Sequence, residues 1–279
     1  MGIYDRDYIR ERPRSGFGAF SFWSVSTWLI VINVGVFVAD GVLRRTSGPR
    51  YERVAVESEE DWVEPSHPVI PYPDFWMGPL QRWGYFSTEK AILQGQVWRF
   101  VTFQFLHSGP GHLLMNMLGL FFFGPIVEGH FGARRYLAFY LLCGLAGAAG
   151  YLLLSALHVI IPSPATPLVG ASAGVFGLLV AASMIAPDVE IFYYFFPVTI
   201  RTLAWVSMAI AAYTVLATGY NAGGQAAHLG GGVLGLLLMK NQHWLNPFAP
   251  SRPAATARPS IRRGRRRTIQ KDWSKDFNR

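Results

Sequence analysis

The sequence predicts an all-α polytopic membrane protein: a six-transmembrane-helix bundle with a long first loop, partly immersed in the membrane. Three observations carry this. Charged residues make up 15% of the 279 residues and hydrophobic residues 51%, whereas soluble domains carry about 25% charge. No Lys, Arg, Asp or Glu occurs between Arg135 and Asp188, a stretch longer than two passes of about 20 residues each. Six apolar runs, separated by short polar or Pro- and Gly-bearing breaks, recur along the chain.

The elements follow in order. Residues 1–21 are Arg-rich and read as a basic cytoplasmic segment. Phe22 to Leu43 is the first span; it follows basic residues, but its apolar core is long and no small-x-small cleavage site stands out, so it reads as an uncleaved anchor. The connection 44–111 comes next. Its part from Glu57 to Pro73 is acidic and broken by proline, an exposed loop. The remainder carries Phe75, Trp76, Trp83, Tyr85, Phe86 and Trp98 among polar residues, and such aromatics favour the membrane interface. Short helices are expected there. Span two runs from His112 to about Glu128, span three from Tyr136 to about His158, and span four from about Ala171 to Ala186. Pro187 and Asp188 break the chain before span five, about Val198 to Gly219, and span six covers Gln225 to Lys240. The membrane domain is thus 22–240, and 241–279 is a basic, disordered cytoplasmic tail. Most of the net charge of +8 lies in that tail, which suits anionic lipid; no nucleic-acid partner is expected.

Charge sets the orientation. Arg134, Arg135 and Arg201 fall in connections on one side, and the opposite connections, Val159 to Leu168 and Tyr220 to Gly224, carry no basic residue. The positive-inside rule places both termini in the cytoplasm. The single cysteine, Cys143, excludes an intramolecular disulfide framework and a multi-cysteine metal site.

On this topology His112 and Asn116 lie at the start of span two, Ser172 at the start of span four and His228 near the start of span six. All fall in the outer half of the membrane. Polar groups at such depth usually face a bundle interior or a wet cavity, so a shared pocket is expected. His112 and Asn116 are spaced i, i+4 on one helix face, and Gly119 continues it. Gly231, Gly232 and Gly235 lie on or beside the His228 face. Ala173, Gly174, Gly177 and Ala181 form a small-residue face near Ser172. Such stripes allow close helix approach, which would bring the imidazole to the hydroxyl. A serine hydroxyl needs a base to become a nucleophile, and its oxyanion needs fixed donors. A helix N-terminus at Ser172 and the side chains of His112 and Asn116 offer them. No third acid suits a triad: Asp40, Glu128 and Asp188 each fall at span ends assigned to the cytoplasmic side. A Ser172/His228 dyad is the expectation.

Plainer readings compete. Gly170-x-x-x-Gly174 alone is more often a packing motif than a catalytic one. The pattern Gly-x-Ser-x-Gly also marks the nucleophile elbow of α/β-hydrolases, but that motif requires a preceding strand. A bundle binding haem or an ion through His112 and His228 is a third class.

With these residues in view, the chain resembles the rhomboid family of intramembrane serine proteases over roughly 22–240. "VWRF" resembles its Trp-Arg pair, here Trp98 and Arg99. "HSGPGHLLMNM" resembles its His-x-x-x-x-His-x-x-x-Asn pattern, here His107, His112 and Asn116. "EGHFG" resembles Glu-x-x-x-Gly, here Glu128 and Gly132. "GASAGVFG" and "AHLGGGVLG" resemble the serine and histidine motifs. The resemblance implies Ser172 as nucleophile, His228 as general base and then acid, and an oxyanion hole from His112, Asn116 and the Ser172 backbone N–H. It implies Gly170 in the active-site turn, Phe176 packed on His228, and Gly231 and Gly235 in close packing, with Trp98, Arg99, His107 and Glu128 as structural supports. It implies single-pass transmembrane substrates cut within or beside their helix, membrane lipid as surroundings, and neither cofactor nor metal. With no clear organelle presequence, a prokaryotic plasma (inner) membrane is the expected location. The alternative it leaves open is a non-proteolytic relative that binds transmembrane helices and controls their traffic or turnover. Ala173 departs from the glycine common after the serine.

Overall fold

The computed structural model describes residues 23–46, 77–157, 163–193, 196–219 and 221–249. The N-terminal segment 1–21, the acidic insert of the first loop and the tail from 250 lie outside the described residues.

Helix α1 (Val25–Thr46) opens at Ser24, whose hydroxyl accepts from the Thr27 N–H at 3.1 Å, an ordinary N-terminal cap. Its next orphan donors are satisfied from another helix. The Val25 and Ser26 N–H groups donate to the Glu128 carboxylate at 2.8 and 2.9 Å, and the Ser26 hydroxyl donates to it at 2.7 Å. Toward its other end, Asp40 accepts from the N–H groups of Leu80 and Gln81, capping the short helix α2 (Pro79–Gly84). A Cβ on Gly78 would strike that carboxylate at 2.2 Å. Asp40 is therefore at the opposite end of α1 from Glu128, not on the same side as expected. The expectation overlooked that an ascending first helix carries residue 40 to its far end.

The first loop is structured, as its aromatics suggested. After α2 come a π-helical turn (Glu89–Leu93), α3 (Arg99–Thr102) and a 3-10 turn (Phe103–Phe105). Helix α4 (Pro110–Phe131) begins with Pro at its first position and ends at Gly132, φ +75°, which also starts α5 (Ala133–Ala156). Helix α6 (Ser172–Ile185), a two-stranded antiparallel hairpin of β1 (Glu190–Tyr193) and β2 (Phe196–Thr199), and α7 (Ile200–Tyr213) follow. Helix α7 is extended by a π-helical turn (Thr214–Thr218) and capped by Thr199, whose hydroxyl accepts from the Thr202 N–H. The hairpin takes Val198 and Thr199, which had been assigned to span five. Helix α8 (Ala222–Lys240) comes last of the long elements.

Six helices thus stand where six spans were expected. Four are long and apolar enough to cross a bilayer: α1, α4, α5 and α7 with its π-helical extension. Helix α6 has 14 residues, about 21 Å at 1.5 Å per residue, less than the ~30 Å hydrocarbon core. Helix α8 is diluted by glycine, Gln225 and His228. The chain is a multi-pass membrane protein, with exposed apolar side chains such as Phe121, Trp205 and Ile210 along its spans.

The ordered part does not stop at Lys240. A 3-10 segment, Gln242–Phe248, places Leu245 fully in the core, and the Arg135 guanidinium donates to Asn246 Oδ1 at 2.9 Å. The boundary expected at 240 therefore moves to at least 249; Leu245 and the Asn246 amide tie the segment down.

The core positions α5, α6 and α8 unusually close together. A Cβ on Gly231 would meet the Ala173 carbonyl oxygen at 2.0 Å, one on Gly235 the Gly177 backbone at 2.8 Å, and one on Gly147 the Ala173 Cβ at 2.4 Å. Gly174 accommodates the Tyr140 ring and Gly177 the Cys143 sulfur. These glycines let backbones approach where any side chain would separate them.

Candidate active site

Ser172 is the first residue of α6, so its turn is held by the loop before it. Leu168 exchanges two backbone hydrogen bonds with Phe86 of the first loop, at 3.0 and 2.7 Å. The Gly170 N–H donates to the Phe103 carbonyl at 2.9 Å. Gly170 has φ +131°, a conformation that L side chains rarely adopt, and a Cβ there would lie 2.8 Å from the His112 ring and 3.5 Å from Ser172 Oγ. The missing side chain leaves a small volume bracketed by the serine hydroxyl and the His112 imidazole.

His112, Asn116, Ser172, Phe176 and His228 all line one cavity of about 830 Å³. The cavity runs from this turn along α4 and α7 to Ile191 and Phe192 of the hairpin. Its walls are mostly apolar with a few polar groups, Ser172, His112, Asn116 and His228 among them, the usual composition of a ligand site. The His228 ring stacks on Phe176, with centroids 4.2 Å apart and planes 7° from parallel, and its Nδ1 is 3.1 Å from Gln225 Oε1. Among the described residues no hydrogen bond joins Ser172 to His228. Catalytic hydrogen bonds often tighten only once substrate is bound.

The His112 ring has a defined partner. Nδ1 lies 3.0 Å from Ser108 Oγ and 3.5 Å from the Ser108 N–H. Ser108 thus holds the Nδ1 edge of the ring. It is Nε2 that borders the volume at Gly170. The Asn116 amide donates one bond to the His112 carbonyl at 2.9 Å, leaving a second N–H on a group that lines the cavity.

The remaining motif residues support rather than line the cavity. Arg99 is buried; its guanidinium donates to the carbonyls of Tyr85 and Arg82 and to Gln96 Oε1, and lies over the Tyr85 ring. Trp98 stacks on Trp83 and donates to its carbonyl. His107 is buried against the His112 ring, centroids 5.1 Å apart, and its carbonyl accepts from the Gln81 amide. Burial, with His112 beside it, lowers the His107 pKa to about 3. Glu128 sits at the end of the bundle away from Ser172, where it caps α1. Gly231 and Gly235 form the α6–α8 contact already described.

Sequence reasoning had passed over Ser108, Gln225 and the hairpin residues of the cavity. Gln225 precedes His228 by three residues within α8, a spacing that shares a helix face, whereas Ser108 lies in the bend before α4 and reaches His112 without a helical spacing to announce it. The hairpin falls mostly in the aromatic run between spans four and five, to which no element was assigned.

A family model described as the Rhomboid domain matches residues 94–242. The chain is 34% identical over 160 residues to RHOMBOID-like protein 4 of Arabidopsis thaliana, covering 57% of this chain and 37% of that protein. It is 34% identical over 139 residues to Rhomboid protein 1, mitochondrial, of Saccharomyces cerevisiae, covering 48% and 38%. Against Rhomboid protease GluP of Bacillus subtilis it is 36% identical over 98 residues, 35% and 18%. The match spans about half or less of these relatives' own lengths. It covers the serine turn, both histidine-bearing helices and the end of the first loop, and the chain belongs to the rhomboid family.

Proposed function

We propose that the chain is an intramembrane serine endopeptidase that cleaves single-pass membrane proteins in or next to their transmembrane helix, through Ser172 and His228. One observation carries this reading: Ser172, His228, His112 and Asn116, from three different helices, border a single cavity within the bundle. GluP, a relative, is named as a protease, which agrees.

In the proposed reaction His228 accepts the Ser172 proton as Oγ attacks the scissile carbonyl carbon. The carbonyl oxygen becomes an oxyanion, for which the His112 Nε2–H, the Asn116 amide and the α6 N-terminal N–H groups are donors. One such donor is worth about 10²–10³ in rate. The intermediate collapses, breaking the C–N bond, and the imidazolium protonates the departing amine. Water, deprotonated by His228, then attacks the acyl ester, and the proton returns to Ser172. No metal or cofactor enters. Arg134, Arg135 and Arg201 share the end of the bundle opposite Ser172, and the positive-inside rule makes that end cytoplasmic.

The test uses the detergent-purified protein. A fluorophosphonate should label wild type and not Ser172→Ala, and wild type alone should cleave members of a panel of single-span proteins. Labelling that persists in Ser172→Ala refutes the assignment. Labelling without cleavage of any reconstituted substrate favours the non-proteolytic, helix-binding reading.

A further inference from the structure

A neutral imidazole acts as base toward Ser172 only in the tautomer whose proton sits on the nitrogen turned away from it. In a triad an acid holds that proton. Here the three acids weighed for that role are engaged elsewhere: Asp40 with α2, Glu128 with α1, and Asp188 with Arg201 at 3.3 Å. What faces His228 Nδ1 is the Gln225 side chain, at 3.1 Å. Gln225 sits half-buried in the first turn of α8, where its own N–H donates to the Asn221 carbonyl at 3.0 Å. The ring is thus held at its edge by Gln225 and on its face by Phe176.

We infer that Gln225 is the positioning residue of the site: its amide oxygen accepts the Nδ1–H of His228 and so turns the Nε2 lone pair toward the cavity. The inference rests on the dyad reading above. A glutamine performs half of what a triad acid does. It fixes tautomer and orientation, but adds no negative charge to stabilise the imidazolium. Within a membrane bundle that has a physical logic, because burying a carboxylate costs far more than burying a hydrogen-bonded amide.

The full-length protein in detergent, labelled with [15N]histidine, tests this. The His228 signals are assigned by their loss in His228→Asn. Wild type should show a protonated Nδ1 and a bare Nε2, and Gln225→Leu should lose that preference. The rate of fluorophosphonate labelling at Ser172 should fall about tenfold in Gln225→Leu, the equivalent of one net hydrogen bond. It should return in Gln225→Glu, which restores an acceptor, while thermal unfolding of Gln225→Leu stays close to that of wild type. An unchanged His228 tautomer in Gln225→Leu overturns the proposal, whatever the labelling rate does. If wild type never labels but its tautomer depends on Gln225, the dyad reading fails and the positioning contact stands.

Discussion

Substituting Gly231 by alanine adds a single methyl group, yet the structure predicts a large effect on chemistry. The new Cβ would sit 2.0 Å from the Ala173 carbonyl oxygen, 2.7 Å from its carbon and 3.0 Å from its Cα. All three are backbone atoms of the residue next to Ser172, and no rotamer change relieves the clash. Helices α6 and α8 must part by about 1 Å or more, since packed Cβ contacts do not fall below 3.0 Å. Overpacking of this kind costs about 1–3 kcal/mol of stability. The proposed nucleophile and base ride on those two helices, and a displacement of about 1 Å can cost on the order of 10² in rate. Gly232 is the internal control. A Cβ there meets the Sδ and Cε of Met208, at 2.4 and 2.8 Å, the far end of a flexible side chain that can rotate away. Fluorophosphonate labelling rates, read with thermal unfolding in the same detergent, should show Gly231→Ala slowed about 100-fold and Gly232→Ala within a few fold of wild type. Equal rates for Gly231→Ala and wild type, or equal losses in both variants, would refute the reasoning.

Two further predictions concern the supports. Glu128→Gln removes a charge that accepts three hydrogen bonds at the start of α1, and should cost about 1–3 kcal/mol in unfolding. Its labelling rate at Ser172 should stay near wild type, because Glu128 lies at the other end of the bundle; a rate loss without a stability loss would contradict this. His107 gives a pH signature. In the unfolded chain it takes up a proton near pH 6.5, while the folded imidazole stays neutral down to about 3. Between those values the unfolded state binds more protons, so stability falls as pH falls, by up to about 1.4 kcal/mol per pH unit. Above pH 6.5 the contribution is flat. Wild type should therefore lose roughly 2 kcal/mol more than His107→Gln between pH 7 and pH 5 in denaturant titrations; parallel pH profiles would show that His107 is not held neutral.

How much of this was legible in the sequence depends on the range of the interaction. The helices announce themselves as apolar runs, and the bounds of α4, α5 and α6 fall within a few residues of expectation because Pro110, Gly132 and the Pro187 break punctuate them. The hairpin did not. In "EIFYYFFPVT" Pro197 argues against a continuous helix, but the pairing that makes it a hairpin, such as Ile191 with Val198, leaves no turn signal in the apolar run. The glycine faces predicted close approach between α6 and α8, and the Gly231–Ala173 and Gly235–Gly177 contacts show it. Caps made through space were not accessible: Glu128 reaches Val25 across 103 positions and Asp40 reaches Leu80 across 40, with no local pattern to link them. Gln225 was visible by spacing, but a search for an acidic third member passes over an amide.

The first loop also fixes the turn that precedes the serine. A helix start leaves backbone N–H groups without intrahelical partners, and the buried segment before it needs partners for its own backbone. Here the first loop supplies them. Phe86 pairs with Leu168, and the Phe103 carbonyl receives the Gly170 N–H. The loop is in turn fixed by Arg99, whose guanidinium binds the Tyr85 carbonyl one residue before Phe86 and the Arg82 carbonyl within α2. Asp40 then ties α2 to α1. A chain of contacts therefore runs from the first helix through α2, Arg99 and Phe86 to Leu168, four positions before Ser172, and of these groups Leu168 alone lines the cavity. Conservative replacement of Arg99 by lysine keeps the charge but cannot reproduce a planar fork reaching three acceptors. The serine turn, not the overall fold, is where that loss would be felt first.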